Sequence, residues 1–179
     1  ENSRRFGSNK LMYEVEGNTM YLRTLRQLQK AAAKMQNSRI VVVTQEKYAE
    51  IIDAAKEIGA EVLINPQPER GISSSMQIGL EIAKDADACF FTVSDQPWLT
   101  AETIIALHDA FQSENKGMAC TRHGEKTGNP CIFSKKYYRK LMEITGDKGG
   151  KQIIKRYPED VTYLKISDER EQQDVDVPL

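Results

Sequence analysis

The chain alternates short apolar runs with stretches whose apolar residues recur every three or four positions. Residues 39–44 (RIVVVT) are continuous and rich in β-branched side chains, the pattern of a strand covered on both faces. The next stretch sets Tyr48, Ile51, Ile52, Ala55 and Ile58 on one helical face, and Gly59 ends it. Residues 61–64 read as a second strand. Residues 72–83 read as a helix aligned through Met76, Gly79, Leu80 and Ala83, and residues 89–93 as a third strand. Thr100 is placed to cap a helix carrying Ile104, Leu107, His108 and Phe111. Further strands are expected at 117–121, 131–133 and 161–166, and short helices near 135–143 and 150–157. Ahead of these, residues 20–35 form a long helical pattern through Leu22, Leu25, Leu28, Gln29 and Ala32, preceded by a hairpin-like LMYEVEGNT.

Strands alternating with helices predict an α/β three-layer sandwich with a mostly parallel mixed sheet. The length of 179 residues suits one domain, 1–179. In such a fold the opening loop should itself follow a strand, which is expected just upstream of Glu1. Ligands bind beyond the carboxyl ends of the strands, so chemistry is sought in the loops there.

Composition narrows the partners. The 25 basic and 26 acidic residues leave a net charge of −1, which argues against coating nucleic acid. No apolar run approaches a membrane span, and no secretory signal is visible. Cys89, Cys120 and Cys131 lack C-x-x-C spacing, as expected of reduced thiols in a cytoplasmic protein. His108 and His123 do not have metal-ligand spacing.

Four loops stand out. In ENSRRFGSNK, Arg4, Arg5 and Lys10 bring cations together, while Ser3, Gly7 and Ser8 keep the backbone accessible. Such a loop can wrap phosphates, and it also reads as a solvated basic terminus. Ser73, Ser74 and Ser75 follow Gly71 at the start of a helix, as anion or polar-ligand donors or as simple caps. Asp95-Gln96-Pro97 ends an apolar strand in a carboxylate, suited to Mg2+ shared with substrate phosphates or to an Asx-type turn. In Asp174-Val175-Asp176 the two carboxylates point the same way if the segment is extended, as half of a metal site or as an acidic tail. Two further segments, 127–130 and 146–151, read as turns that offer Asn129 and a flexible basic loop. Together the loops suggest phosphates plus Mg2+, without a covalent nucleophile.

In order and spacing, these motifs resemble the molybdenum cofactor cytidylyltransferase family, nucleotidyltransferases with a nucleotide-diphospho-sugar transferase (GT-A-like) fold. Ser3-x-Arg5-Phe6-Gly7-x-x-Lys10 resembles the opening signature, and Gly71-x-Ser73-Ser74-Ser75 the nucleotide loop. Asp95-Gln96-Pro97 resembles the metal motif. Gly128-Asn129-Pro130, Gly146-Asp147-x-Gly149 and Asp174-Val175-Asp176-x-Pro178 resemble later landmarks. In this register Glu1 stands where the family has glycine.

The resemblance implies transfer of CMP from CTP to the phosphate of a molybdopterin-type cofactor, with pyrophosphate release and Mg2+ (or Mn2+) as cofactor. It implies Asp95 and Asp176 as metal ligands and Arg5 and Lys10 as catalytic cations on the phosphates. Ser3, Gly7, Ser73, Ser74 and Ser75 would contact the nucleotide, and Asn129 and Asp147 the acceptor. A molybdoenzyme would be the eventual recipient. Two readings stand beside it: transfer to a sugar phosphate or other phosphorylated metabolite, and a catalytically weak accessory protein that binds nucleotide or cofactor for a molybdoenzyme.

Overall fold

The computed structural model describes residues 10–176, so the strand expected before the opening loop lies outside the described residues. A 3-10 turn (Lys10–Met12) leads into a minimal antiparallel hairpin, β1 (Glu14–Val15) and β2 (Asn18–Thr19), and then α1 (Met20–Ala32). β3 (Val41–Thr44) and β4 (Glu61–Ile64) flank α2 (Ala49–Glu57) and pair in parallel. α3 (Ile72–Ile82) precedes β5 (Ala88–Phe91), and α4 (Ala101–Ser113) precedes β6 (Met118–His123) and β7 (Lys126–Ser134). α5 (Tyr138–Met142), α6 (Lys151–Arg156) and β8 (Val161–Lys165) follow. A four-stranded sheet runs β5-β7-β6-β8, with β7 antiparallel to both neighbours and β8 parallel to β6.

These strands are the middle of an α/β/α sandwich. The alternation of β6 and β7 shows why. Cross-strand partners Met118 and Phe133, and Cys120 and Cys131, join the cluster of Met76, Leu80, Leu141 and Ile154 under α3, α5 and α6. The intervening pair, Ala119 and Ile132, packs against Leu107 of α4 on the opposite face. β3 divides likewise. Val42 joins the cluster of Tyr21, Leu25 and Ile51, while Val43 lies under α3, 3.3 Å from where a Cβ on Gly79 would stand.

Local signals stop and start the helices. Gly59 adopts φ +76 after α2, its N–H donates to the Lys56 carbonyl, and Ala60 N–H reaches the Ala55 carbonyl. That paired arrangement is a Schellman cap. Thr100 caps α4 by accepting from Thr103 N at 3.2 Å. α1 ends three residues before the expected Met35, in a tightening turn closed by Met35 N–H to the Ala32 carbonyl.

The principal correction concerns residues 127–130, which read as a turn before a strand. They lie inside β7, which pairs with β6 from Lys126 through Phe133. A register shift between Cys120 and Thr121 accommodates these strand-breaking residues within the ladder, and the Asn129–Pro130 bond is cis.

Away from the loops, Asp160 braces the amino ends of β6 and β8. It accepts from Gly117 N at 3.0 Å, Tyr137 Oη at 2.6 Å and Lys136 Nζ at 2.8 Å. Burial alone would raise its pKa. The hydrogen bonds from Lys136, Tyr137 and Gly117 and the Lys136 charge outweigh burial and bring it down to about 2. A folded-state pKa below the unfolded value stabilises the protein above the unfolded pKa, and that contribution is lost as pH falls from about 4 to 2. Asp160→Asn should therefore cost about 1–2 kcal/mol at neutral pH, discounted for solvent screening. It should also flatten that acid limb in urea unfolding followed against pH.

All three cysteines are free. Burial pushes the Cys120 thiol up to about 11 and Cys131 further still, so neither is a nucleophile at neutral pH. Among the described residues, no helix is long and apolar enough to cross a membrane.

Candidate functional site

Three residues distant in sequence meet in one cluster. Lys10 Nζ lies 2.6 Å from Asp95 Oδ2 and 3.0 Å from Asp176 Oδ1, across separations of 85 and 166 residues. The Lys10 and Asp95 side chains are only 5% and 10% exposed, whereas Asp176 is 57% exposed. The pair is thus desolvated on one side and open on the other.

Asp95 is held from two directions. β5 ends at Phe91, and Arg23 of α1 donates from Nε to the Pro97 carbonyl at 2.8 Å, fixing the exit of the loop. Val175 N–H donates to the Asp95 carbonyl at 2.9 Å, and Gln96 Nε2 to Asp174 Oδ1 at 2.7 Å. The segment after β8 therefore straps across this loop and delivers Asp176 to Lys10.

The strap carries residues that the sequence did not single out. A 3-10 turn (Glu169–Gln172) places Glu171 where it accepts from Thr100 N and Oγ1, at 3.2 and 3.1 Å. Gln172 is 2% exposed and donates from Nε2 to Thr121 Oγ1 at 2.8 Å. Thr121 Oγ1 in turn donates to the Asn129 carbonyl at 2.8 Å. Gly128 makes room for this, since a Cβ there would meet Gln172 Cδ at 2.9 Å. Gln172 and Thr121 thus fix the backbone that presents Asn129. A glutamine in a charged tail gives no local signal of burial.

The serine run forms a second group. Gly71, at φ +87, opens α3. Ser74 Oγ donates to the Gly71 carbonyl at 2.8 Å and accepts from Asn65 Nδ2 at 2.8 Å, so it braces the turn internally. Asn65 Nδ2 also reaches Ser75 Oγ at 2.9 Å. Ser73 is buried, and its N–H donates to the Gly146 carbonyl at 3.2 Å. Asp147 Oδ1 accepts from Ile72 N at a long 3.4 Å. The structure thus brings Asp147 to the serine turn, while Asn129 lies with Thr121 and Gln172. Ser3, Arg5 and Gly7, with Arg4 and Glu1, lie outside the described residues.

The residues present fit a hard divalent cation. Mg2+ characteristically takes one or two carboxylates and completes its shell with water and substrate phosphates. Asp95 and Asp176 supply two, and Asp95 Oδ1 is buried without a hydrogen-bond partner among the described residues. Among the described residues no group of three or more His, Cys, Asp or Glu could hold a metal by itself. A groove of about 300 Å³ between α5 and α6, lined by Lys140, Lys148, Gln152 and Arg156, contains none of these residues.

Known proteins are similar to this chain in sequence or in fold. A probable molybdenum cofactor guanylyltransferase of Pyrococcus horikoshii is 26% identical over 149 residues, 82% of this chain and 69% of the relative. The crystal structure of Rv0371c from Mycobacterium tuberculosis H37Rv superposes with a TM-score of 0.82 at 21% identity, covering 99% of this chain and 88% of that one. Its complex with manganese gives 0.72 at 18% identity, covering 89% and 82%. A 4-diphosphocytidyl-2C-methyl-D-erythritol synthase from Anaerococcus prevotii gives 0.73 at 14%, covering 96% and 87%. Residues 1–161 match the MobA-like NTP transferase domain, and the chain belongs to that family, within the nucleotidyltransferase superfamily of enzymes.

Proposed function

We propose that the chain transfers a nucleotidyl group from CTP or GTP to the phosphate of a small phosphorylated metabolite, with a molybdopterin-type cofactor as the first acceptor to test. The observation that carries this reading is the convergence of Lys10, Asp95 and Asp176 in a half-open cluster at the end of β5. The relative named for guanylyl transfer and the neighbour named for cytidylyl chemistry put both donors in play.

In the reaction, an acceptor phosphate oxygen attacks the α-phosphorus in line, the α–β bridging P–O bond breaks, and pyrophosphate leaves with the bond's electron pair. Positioning and charge neutralisation suffice, so no protein nucleophile is required. Lys10, with Arg5, neutralises charge on the β and γ phosphates and the departing pyrophosphate. Ser73 and Ser75, at the amino end of α3, face the nucleotide, with Ser74 holding their turn. Ser3 and Gly7 complete the phosphate loop. Asn129 and Asp147 face the acceptor. Asp95 and Asp176 would hold Mg2+ or Mn2+, which would supply positive charge to offset that developing on the phosphates.

The test is a matrix of four nucleoside triphosphates against molybdopterin, sugar phosphates and other phosphorylated metabolites, read by pyrophosphate release. A single acceptor class should dominate with CTP or GTP. Equal, acceptor-independent release would reject the proposal.

The buried pair beneath Asn129 gives a sharper expectation. Thr121→Val leaves Gln172 unsatisfied and frees the Asn129 backbone. It should raise the acceptor KM roughly tenfold, the equivalent of about one hydrogen bond, with the nucleotide KM unchanged. Thr121→Ser, which keeps the hydroxyl, should restore the acceptor KM.

A further inference from the structure

One ammonium, that of Lys10, cannot rest on carboxylate and on phosphate at once. In the structure its ammonium lies against the two carboxylates that would hold a divalent ion. In the proposed reaction it lies on phosphate. We infer that Lys10 is an exchangeable counter-ion: it occupies the Asp95–Asp176 pair when no nucleotide is bound, and it yields that place only when a triphosphate arrives to receive it together with the metal.

Charge and ligand count set this exchange. Among the described residues, two carboxylates and one ammonium bring this cluster to −1, too little to retain a divalent ion whose own charge would sit beside the ammonium. The described residues offer no third carboxylate, histidine or thiolate with which to complete a metal site. A triphosphate changes both terms, because its oxygens supply the missing ligands and its charge attracts the ammonium. Burial strengthens the coupling. With the Lys10 side chain 5% exposed, moving it off these carboxylates without a new anion would take a shielded charge away from the anions that balance it. The substrate is therefore the metal–triphosphate chelate, and the protein discriminates against the free metal through its own lysine.

This inference rests on the proposed metal and phosphate roles, and the experiment separates the two. Mn2+ binding is measured by calorimetry and by the electron paramagnetic resonance of free Mn2+. The full chain is compared with Lys10→Met, each alone and with the α,β-methylene analogues of CTP and GTP. Thermal melts with and without Mn2+ report folding, and Lys10→Gln is the substitute if Lys10→Met does not fold. Without nucleotide, the variant should bind Mn2+ at least tenfold more tightly than the unaltered chain, and Mn2+ should raise its melting temperature more. With an analogue the order should reverse. Equal or weaker Mn2+ binding by the variant, while the unaltered chain still binds Mn2+ with an analogue, overturns the exchange and leaves the metal role standing. No Mn2+ binding by either protein in any state overturns both.

Discussion

Asp95→Asn should lower turnover by at least about 10²–10³-fold, the scale on which loss of one preorganised charge-stabilising group acts. The same substitution should destabilise the fold, and this follows from geometry that the sequence did not disclose. Read as a loop residue, Asp95 could be changed without moving the thermal transition. In the structure it is the buried partner of Lys10, and among the described residues Asp176 is the second, more exposed carboxylate on that ammonium. Breaking one arm of a buried ion pair leaves a poorly compensated ammonium. The expected cost is on the order of 3 kcal/mol, the lower end for such losses because Asp176 still accepts from Lys10. Stability and catalysis are separable in a cycle with Lys10→Met. The double variant should regain part of the stability lost by the singles, since no lone buried charge remains, and should regain no activity. An Asp95→Asn protein that loses stability but keeps its turnover per folded molecule would make Asp95 a brace only.

Gly71→Ala is the second large effect. At φ +87 an alanine is strained, and its Cβ would stand 2.5 Å from Gly146 C and 2.7 Å from Asp147 N, both backbone atoms that cannot swing away. The serine turn and the 146–147 loop must separate, breaking the hydrogen bond from Ser73 N–H to the Gly146 carbonyl. The control lies across the same contact. Gly146 also has positive φ, at +75, but a Cβ there meets nothing within 4 Å. Gly146→Ala should therefore cost only the backbone term of about 1 kcal/mol, and Gly71→Ala at least about twice that. Because the substitution parts the serine turn, assigned to the nucleotide, from Asp147, assigned to the acceptor, Gly71→Ala should raise both the nucleotide KM and the acceptor KM. Chemical denaturation and a two-substrate kinetic matrix check both halves. Equal stability losses for the two alanines would show that the close contact carries no weight.

What the sequence disclosed follows from the range of the interactions. Periodicity located β3, α2, β4, α3 and α4 because burial of one face leaves a repeat of two or 3.6 in neighbouring residues. Gly59 and Thr100 were legible because caps are local. Residues 127–130 were not, because their place in β7 depends on pairing with β6 across a bulge, against the local preference of glycine, asparagine and proline for turns. At the site, the motifs named Lys10, Asp95 and Asp176, yet nothing local could show that they share one ion-pair cluster across 85 and 166 residues. Gln172 and Glu171 were missed for the same reason. In a tail of acidic and amide residues, only the folded strap distinguishes those turned inward from those left in water.

Nucleotidyl transfer at the Lys10–Asp95–Asp176 cluster can be measured directly. Its most direct test incubates the full-length protein with Mg2+, CTP or GTP, and the best acceptor from the matrix, then measures pyrophosphate and acceptor mass in the same sample. One pyrophosphate should be released for each acceptor that gains a nucleoside monophosphate unit, with both signals lost in Asp95→Asn protein that is shown to be folded. Pyrophosphate without a nucleotidylated acceptor, or undiminished transfer by folded Asp95→Asn, would contradict transfer at this cluster.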